Sequence, residues 1–442
     1  MNVKSAWEDG FTGKEVLVAV VDDGVNMNHP NLRLNFNLRA SYDVLEDRKI
    51  SGSHSPGSHG TKCAGIIAGS NNTDCGIGIA FDAQIASLRL YDDNTKSSDQ
   101  SEARALSYKR DLIDVYSNSW GPGDMGWQVE GPGPRLTEAL ENGTRWGRHG
   151  KGSIFVFAAG NGGLAGDNCA FNGYANSIHT IAISGVNWDG RVPDYSEKCS
   201  AIVAVTYGQN VLTYGNVKAP IITAEGNHDC TEDFPGTSGT TAMASGIIAL
   251  ALEANPELTW RDVQHLIVRS SKPLSSPRTS DFSTTRRPKP SWKTNAANLS
   301  VSSHFGFGLM DAYTIVQYSR NWNSVPQQLY CEVALDISRG QFQLPLSVSE
   351  HNCSIRFLEH VQVQFDLSFP RRGYLRMSSV SPSRTQSTLF YPRAFDSLTG
   401  EKRFSNWTVT SLHYWGENPI GNWTITIRNT KPRRNNRNGN VL

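Results

Sequence analysis

The chain has 442 residues, of which 42 are lysine or arginine and 41 are aspartate or glutamate, so its formal net charge is +1. This balance lacks the basic excess of a nucleic-acid-binding protein, and we expect neither nucleic acid nor an anionic membrane surface as a partner. The length suits one large domain followed by a smaller one. No apolar run approaches the roughly 18 residues of a spanning helix, so no transmembrane segment is predicted.

The first predicted element is a buried strand over residues 16–21, which delivers Asp22 at its carboxyl end. His59, in a His-Gly-Thr signature, and Ser238, in a Gly-Thr-Ser signature, each stand at the start of a predicted helix. The order Asp, His, Ser is that of the subtilisin group among the convergent serine protease triads. In such a triad serine attacks the carbonyl, histidine moves the proton and aspartate orients the imidazole. We therefore predict that Asp22, His59 and Ser238 are catalytic.

A fourth catalytic candidate, Asn161, follows a predicted strand over residues 154–159 and lies in a glycine-rich turn. An amide placed there would donate to the oxygen that becomes negatively charged in the transition state. Taken singly, each of the four residues is better explained as a turn residue or a helix cap. Their occurrence together, in this order, favours catalysis.

Apolar runs alternate with longer helix-like stretches over the first 320 or so residues. This spacing predicts an α/β domain with a parallel sheet flanked by helices and with the active residues at the carboxyl ends of strands. The five runs are residues 16–21, 84–90, 113–116, 154–159 and 180–183. Residues 275–303 are polar, basic and proline-bearing, which predicts an exposed loop.

The texture of the sequence changes after Trp322. Residues 361–367, 374–377 and 423–427 alternate apolar and polar side chains, which predicts an antiparallel β sandwich or jelly roll. We therefore place one domain at residues 1–322 and a second at 323–442, where residues 431–442 form a polar tail without predicted structure.

Several longer strings identify a family. They are Ser-Asn-Ser-Trp-Gly-Pro at 117–122, Asp167, Tyr-Ser-Glu-Lys-Cys at 195–199, Leu-Thr-Trp-Arg-Asp-Val-Gln-His at 258–265 and Phe-Gly-Phe-Gly-Leu-Met-Asp-Ala at 305–312. With the triad, they closely resemble the catalytic domain of the kexin/furin proprotein convertases, and residues from 323 onward resemble the P domain of that family. The resemblance implies a subtilisin-like fold followed by a jelly-roll-like P domain, and a calcium-dependent serine endopeptidase that cleaves secretory precursor proteins after basic residues.

The resemblance also implies substrate-binding residues. The backbone of Ser119, Trp120 and Gly121 would pair with an extended substrate by β-augmentation. Acidic side chains would face the basic side chains of the substrate, because a cation enters a pocket at low cost only when it is paired. The implied assignments are Asp124 for the residue before the cut, Asp23 for the second residue before it, and Glu102, Glu130 and Tyr174 for the fourth and more distal residues.

The chain departs from the family pattern at three places near the cleft. Asn172 stands where the family has a second aspartate at the base of the pocket, and Pro56 stands where an acid usually precedes the catalytic histidine by three residues. Because each change removes a carboxylate, we expect weaker selectivity for dibasic sites. Residues 239–242 place Gly-Thr-Thr-Ala after the nucleophile, and weaker helix formers there predict a less rigid Ser238.

Calcium is the implied metal. Asp124, Asp167 and Glu197 match a family site near the specificity pocket, and carboxylate oxygens suit this cation. At a second family site Asn31 stands where an aspartate ligand is expected, while Asn72 and neighbouring carbonyls remain as candidates.

Seven cysteines leave at least one thiol unpaired within the monomer. The resemblance implies the pairs Cys75 with Cys230, Cys169 with Cys199 and Cys331 with Cys353, and leaves Cys63 free. Such pairs, and six Asn-X-Ser/Thr glycosylation sequons, fit the lumen of the secretory pathway, in the Golgi or vesicles, or the extracellular space. An alternative explanation of His54, His59 and Cys63 is a metal site, although no fourth ligand is evident nearby.

Convertases normally carry a signal peptide and an inhibitory pro-segment, and this sequence contains neither. We therefore interpret it as a mature form, a fragment or an incomplete gene model, with the pro-segment as an expected partner beside the protein or peptide substrates. Two other functions stay open. One is a non-catalytic or weakly active protein that binds basic segments or partners, and the other is a subtilisin of broad specificity.

Overall fold

The computed structural model describes residues 1–50, 57–72, 74–210, 220–226, 228–274, 291–335 and 342–431. Its helices are α1 Val3–Glu8, α2 Ser58–Ala68, α3 Asp99–Ser107, α4 Pro134–Trp146, α5 Gly173–Asn176, α6 Thr237–Ala254, α7 Trp260–Ser270 and α8 Ala312–Arg320. Its strands are β1 Leu17–Asp22, β2 Tyr42–Asp43, β3 Gln84–Arg89, β4 Val115–Asn118, β5 Ile154–Ala158, β6 Thr180–Val186, β7 Ile202–Tyr207, β8 Thr223–Glu225, β9 Asp229–Thr231, β10 Lys293–Thr294, β11 Ser300–Val301, β12 Gln343–Val348, β13 Val361–Ser368, β14 Leu375–Val380, β15 Gln386–Phe390, β16 Arg403–Ser411 and β17 Gly421–Asn429.

The first seven strands form one parallel sheet in the order β2-β3-β1-β4-β5-β6-β7. Every residue of β1 is buried, as is typical of parallel strands that are covered on both faces. The five apolar runs of the sequence correspond to β1, β3, β4, β5 and β6. The predicted subtilisin-like parallel sheet is confirmed.

Two hydrophobic cores cover the two faces of this sheet. One face packs against α2, α6, α7 and α8, and the other packs against α3 and α4. Helix α6, with 18 residues, is buried along almost its whole length. A helix that is packed on all sides has a fixed position relative to the sheet. The first residue of α6, which precedes the predicted nucleophile, is therefore held at the edge of the sheet.

The C-terminal part is antiparallel throughout. Strands β12, β17, β14 and β15 form one sheet in that order, and β13 pairs with β16 in a second. Strand β13 alternates half-buried and exposed residues, which is the period-two pattern that predicted it. The prediction of an all-β second region is confirmed. We name residues 342–431 the β domain.

The β domain shares a hydrophobic core with the parallel-sheet domain. Phe171 of the first domain stacks on Phe404, with ring centroids 5.2 Å apart, and lies 5.4 Å from Phe390. Aromatic pairs of this kind add attraction beyond the area that they bury. The two domains are therefore joined through packed side chains as well as through the chain.

The exposed loop predicted at 275–303 is wrong in part, because its final residues form a hairpin, although both residues of β10 are exposed. Residues 291–303 contain the hairpin β10–β11, and Asn295 between its strands is buried. The Asn295 side chain donates to the carbonyls of His413 and Trp415, 3.1 and 2.9 Å away. The polar composition therefore reflects hydrogen bonds with the β domain. Residues 275–290, His54, Pro56 and the tail from 432 lie outside the described residues.

Three disulfides join Cys75 to Cys230, Cys169 to Cys199 and Cys331 to Cys353, the pairs that the resemblance implied. Cys63 is a buried free thiol. The disulfides are consistent with a secretory or extracellular location. Within the part of the chain that the structure describes, the helices are all too short or too polar to cross a membrane.

Candidate active site

Three elements bring the predicted triad together at the carboxyl edge of the sheet. Asp22 is the last residue of β1, His59 is the second residue of α2, and Ser238 is the second residue of α6. His59 Nδ1 lies 2.8 Å from Asp22 Oδ1, and His59 Nε2 lies 3.0 Å from Ser238 Oγ. The imidazole thus bridges the carboxylate and the hydroxyl in the geometry of a general base that activates a serine.

Asp22 is completely buried, and its Oδ1 atom accepts two further hydrogen bonds. The donors are the Tyr91 hydroxyl at 2.9 Å and the Asp23 amide at 2.8 Å. Burial is the largest single effect on the pKa of His59 and lowers it, but the charge and hydrogen bond of Asp22 and the charge of Asp23 together raise the pKa overall. The site therefore favours the imidazolium that forms when Ser238 gives up its proton.

The candidate oxyanion donor is held by its oxygen end. Asn161 Oδ1 accepts from the Thr237 amide at 2.7 Å and from the Thr237 hydroxyl at 3.0 Å, which leaves Nδ2 as the donating end of the side chain. Gly236 has φ +95°, and a Cβ atom there would lie 3.0 Å from Asn161 Oδ1. Glycine is therefore required both for the backbone conformation and for the approach of the amide.

The first turn of α6 is reinforced by its threonines. Thr240 Oγ1 and Thr241 Oγ1 both donate to the Thr237 carbonyl, at 2.9 and 2.8 Å, and both residues are completely buried. Ala242 is also completely buried in the hydrophobic core. The weak helix formers that predicted a loose nucleophile turn are thus held by packing and by back-bonding to the turn.

Asp23 caps the helix that carries the histidine. The cap residue of α2 is Gly57, which has no side chain to bond the first amides. Asp23 Oδ2 accepts from the His59 amide at 3.1 Å, and Asp23 Oδ1 accepts from the Gly60 amide at 2.7 Å. Burial first and the Asp22 charge second raise the pKa of Asp23 to about 6. Both oxygens of this predicted substrate-binding acid therefore also position His59.

The predicted substrate segment directly follows β4. Ser119 is buried and its hydroxyl donates to the Ser238 carbonyl, 3.2 Å away. The Trp120 ring packs edge-on against Tyr174 with centroids 5.2 Å apart, and Gly121 is exposed. An exposed backbone next to the nucleophile is what an added substrate strand requires.

The more distal acids differ in environment. Glu102 is buried, accepts hydrogen bonds from Tyr174 at 2.9 Å and from Ser97 at 2.6 Å, and has a pKa raised chiefly by burial. Glu130 is exposed and forms a backbone bridge with Asn172. Glu130 is therefore free to meet a cation in solvent, whereas Glu102 is part of a buried pair.

Asn172 is the cap of the short helix α5. Its Oδ1 atom accepts from the amides of Tyr174 and Ala175, at 3.0 and 3.1 Å. Its Nδ2 atom would lie 3.2 Å from a Cβ atom on Gly121, so the donor end of the amide faces the predicted substrate segment. A donor at this place cannot pair with a cationic side chain.

The three predicted calcium ligands line one cleft. Asp124, Asp167 and Glu197 lie around it with Gln128 and Asn168. Burial, followed by the charges of Asp167 and Asp124, raises the pKa of Glu197 well above its usual range. Gln128 Oε1 and Asn168 Oδ1 are buried and have no hydrogen-bond donor among the described residues. Three carboxylates and two unpaired amide oxygens supply the hard oxygen donors that calcium prefers, but the three carboxylates do not bring their ligand oxygens within 4.8 Å of one another, and Asp167 Oδ1 is paired with Arg393.

At the second predicted calcium site the nitrogen of an amide lies among the candidate ligands, while Asn31 Oδ1 is buried without a donor among the described residues. The Asn31 Nδ2 atom donates to Asn72 Oδ1 at 3.2 Å and to the carbonyls of Ser70 and Gly76, both at 3.3 Å. These are the side-chain and carbonyl oxygens that remained as candidate ligands. The neutral Asn31 amide therefore gives these oxygens hydrogen bonds at the point where a metal ion would otherwise bind them.

Cys63 belongs to the only cluster among the described residues in which three His, Cys, Asp or Glu ligand atoms lie within 4.8 Å of one another. The other members are Asp22 and His59, which bond to each other. Burial, and then the Asp22 charge, raise the pKa of the Cys63 thiol well above its usual range. A protonated thiol is a poor ligand, so the arrangement fits the triad better than a metal site.

Sequence reasoning missed Tyr91 and Thr237 as supports of the site. Tyr91 lies two residues beyond the carboxyl end of β3, the strand next to β1, and this position was its only signal. Thr237 directly precedes the nucleophile, and its backbone amide donates to Asn161 Oδ1, a contact that other residue types could also make. Its hydroxyl donates to the same oxygen.

A parallel α/β sheet with an Asp, His and Ser triad at its carboxyl edge defines the class of subtilisin-like serine proteases. A model of the subtilase family matches residues 13–308, and a model of the proprotein convertase P-domain matches residues 358–440. The chain therefore belongs to the subtilase family, in the group that carries a proprotein convertase P domain.

The relatives agree with this assignment. The chain is 41% identical over 439 residues to furin-like protease 1, isoform 1-CRR, of Drosophila melanogaster, covering 97% of this chain and 38% of the relative. It is 41% identical over 442 residues to human proprotein convertase subtilisin/kexin type 4, covering 97% of this chain and 56% of the relative. The chain thus spans between about a third and just over half of the length of these relatives. A crystal structure of the serine protease of Aeromonas sobria has the same fold, with a TM-score of 0.79 at 24% identity over 95% of this chain and 82% of that one.

Replacing Asn161 by alanine should lower kcat by about 10²–10³ while KM changes little, because the hydrogen bond lost from Nδ2 forms only with the transition state. The substitution also removes the acceptor of the Thr237 amide and hydroxyl, which adds to the loss in kcat. Steady-state kinetics on a fluorogenic peptide measure both constants. Asn187→Ala is the matched control, since Asn187 follows the neighbouring strand β6 and bonds to Asn210. Equal losses in the two variants would contradict the oxyanion assignment.

Replacing Asp23 by asparagine should lower kcat/KM, because one of the two backbone amides that Asp23 caps loses its acceptor. The reduction should be similar for a peptide with Lys and a peptide with Ala as the second residue before the cut. The Asp23 charge also raises the pKa of His59, so the acidic limb of the pH profile should move to lower pH in the variant. A loss confined to the Lys peptide, with an unmoved limb, would mean that Asp23 contacts substrate only.

Replacing Asn31 by aspartate should create a calcium site where the amide now lies. The variant should melt below the parent without calcium, because its carboxylate would face three acceptor oxygens. At a calcium concentration of 100 Kd it should gain about 2.7 kcal/mol beyond the parent's own response. Differential scanning calorimetry with and without calcium measures this. Asn35→Asp is the control, because the Asn35 amide also bonds two carbonyls, those of Ala68 and Phe81, neither of which bonds to Asn31; an equal calcium response there would refute the assignment.

Proposed function

We propose that the chain is a calcium-dependent serine endopeptidase that cleaves secretory precursor proteins on the carboxyl side of basic residues. The observation that carries the proposal is the His59 imidazole, which lies within hydrogen-bond distance of both Asp22 and Ser238. Membership of the subtilase family supports the same chemistry.

The reaction follows from the positions of these groups. His59 Nε2 accepts the Ser238 proton as Oγ attacks the scissile carbonyl, and Asp22 stabilises the imidazolium through Nδ1. Asn161 Nδ2 then donates to the oxyanion of the tetrahedral intermediate. His59 returns the proton to the leaving amine, and water, activated by the same imidazole, releases the acyl group from Ser238.

Preference for a basic residue before the cut is supported by the acids beside the nucleophile. Asp124 accepts from the backbone amide of Asn161 at 3.1 Å, which places a carboxylate next to the residue that carries the oxyanion donor. Burial raises the pKa of Asp124, so the charged form gains from a cationic partner. With the Asn172 amide in place of a second acid, we expect arginine before the cut to be favoured and the dibasic requirement to be relaxed.

Calcium dependence is supported by the cleft around Glu197. Asp124, Asp167 and Glu197 would hold the ion, with Gln128 Oε1 and Asn168 Oδ1 as further oxygens. The bound cation would neutralise the carboxylates that Glu197 now faces and would fix the loop that carries Asp124. A role in the secretory pathway is supported by the disulfides and by the P-domain match.

The test uses purified, full-length secreted protein and a peptidyl-arginine chloromethylketone. We expect covalent labelling of His59, and no labelling in the Ser238→Ala variant. Peptide binding without labelling or turnover would instead support a non-catalytic binding protein. Turnover of neutral peptides at efficiency equal to that of arginine peptides would indicate a subtilisin of broad specificity.

Replacing Asn172 by aspartate should raise the preference for arginine over a neutral residue before the cut. The aspartate keeps an oxygen for the cap of α5 and turns a second one towards the substrate segment. A charged hydrogen bond is worth about 1.5–3 kcal/mol, so kcat/KM for the arginine peptide should rise by roughly 10- to 150-fold relative to the neutral peptide. Asn187→Asp is the control, because Asn187 follows strand β6 and bonds to Asn210. An unchanged ratio in Asn172→Asp would remove Asn172 from the pocket.

A further inference from the structure

Arg393 is a buried arginine that joins the two domains. It follows strand β15 of the β domain and is only 1% exposed. Its Nη1 atom lies 3.2 Å from Asp167 Oδ1 of the protease domain, and its Nη2 atom lies 2.8 Å from Asp396 Oδ2 of its own domain. The guanidinium also lies 3.9 Å from the centre of the Phe171 ring. Both Nη atoms are paired, while the buried Nε atom has no partner among the described residues. A buried cation is tolerated only when its charge is paired in this way.

The same side chain binds the loop that links β4 to α4. This loop, residues 119–133, contains no helix or strand of its own, so its order must come from contacts with other segments. Three consecutive carbonyls of the loop accept hydrogen bonds from the β domain. The pairs are the Asp396 amide with the Gly126 carbonyl at 3.1 Å, Arg393 Nη2 and Arg372 Nη2 with the Trp127 carbonyl at 3.3 and 3.4 Å, and Arg393 Nη1 with the Gln128 carbonyl at 2.5 Å.

From the loop a short path of hydrogen bonds leads to the catalytic centre. The Gly126 amide donates to Asp167 Oδ2 at 2.7 Å, so the carboxylate that pairs with Arg393 also holds the loop. Asp124, two residues before Gly126, accepts from the backbone amide of Asn161. The side-chain oxygen of Asn161 in turn accepts from Thr237, the residue before the nucleophile. A shift of the loop would therefore displace both the predicted pocket acid and the oxyanion donor.

We propose that Arg393 is a positioning residue for the substrate cleft, so that the pocket for the residue before the cut is complete only when the β domain is docked. This inference rests on the proposed endopeptidase function. The planar guanidinium is suited to the task, because its fixed donors reach two carboxylates and two carbonyls at once. A lysine could keep the charge but could not hold all four partners.

The test compares Arg393→Gln and Arg393→Lys with Arg376→Gln as the control. Arg376 is an exposed arginine of the same β domain that bonds to Thr388 and makes no contact with the loop. In Arg393→Gln, KM for a peptide with arginine before the cut should rise on the order of 10- to 100-fold, and selectivity over a neutral residue should fall. The lysine variant should lie between the glutamine variant and the parent.

Hydrogen exchange provides a readout that needs no activity. Peptides covering residues 122–130 should exchange faster in Arg393→Gln than in the parent and remain unchanged in Arg376→Gln. If Arg393→Gln melts at a lower temperature but keeps the parent's KM, selectivity and loop exchange well below its melting point, Arg393 only stabilises the interface and the proposal is wrong.

A measurement on the parent protein covers the case in which neither variant folds. In rising urea, residues 122–130 should lose protection together with strand β15 of the β domain. Protection of the loop after β15 has exchanged would overturn the proposal. A parent protein that does not cleave basic peptides would count against the proposed function, whereas the exchange result would still decide whether the β domain orders the loop.

Discussion

The site depends on one constraint, a fully buried carboxylate at the end of a buried strand. Asp22 closes β1, near the middle of the parallel sheet, and its charge must be met by donors from elements on several sides. Tyr91 supplies one donor from beyond β3, and His59 supplies another from α2. The next residue, Asp23, then meets the start of α2 with its own side chain. One strand end therefore fixes the position and direction of the helix that carries the base.

Much of the fold could be predicted from the sequence, because buried parallel strands are apolar along their whole length. The runs at 84–90 and 154–159 agree with β3 and β5 to within one residue at each end. The catalytic residues were predictable for a related reason, since each follows or begins a regular element and must be a particular chemical type. Contacts between distant segments were not predictable. Arg393 meets Asp167 across 226 positions, and nothing in the local sequence of either residue indicates the other. The hairpin at 291–303 was mistaken for an exposed loop because the partners of Asn295 belong to the β domain.

Two asparagines show how the fold accommodates the loss of a family carboxylate. At Asn172 the oxygen is used to cap a helix, and at Asn31 the nitrogen satisfies three oxygens that would otherwise face one another. The same substitution thus has opposite local results, because the neighbours are amides in the first case and acceptors in the second. Residue type alone indicates that a charge is lost, and only the surrounding groups decide what replaces it.

Cys63 lies one helical turn behind His59 with its sulfur completely enclosed. Thiol reagents cannot reach it while α2 is packed against β8 and α6. Its alkylation rate therefore reports how often this part of the protease opens, without any introduced label. The single unpaired cysteine is therefore a natural probe of local opening next to the catalytic base.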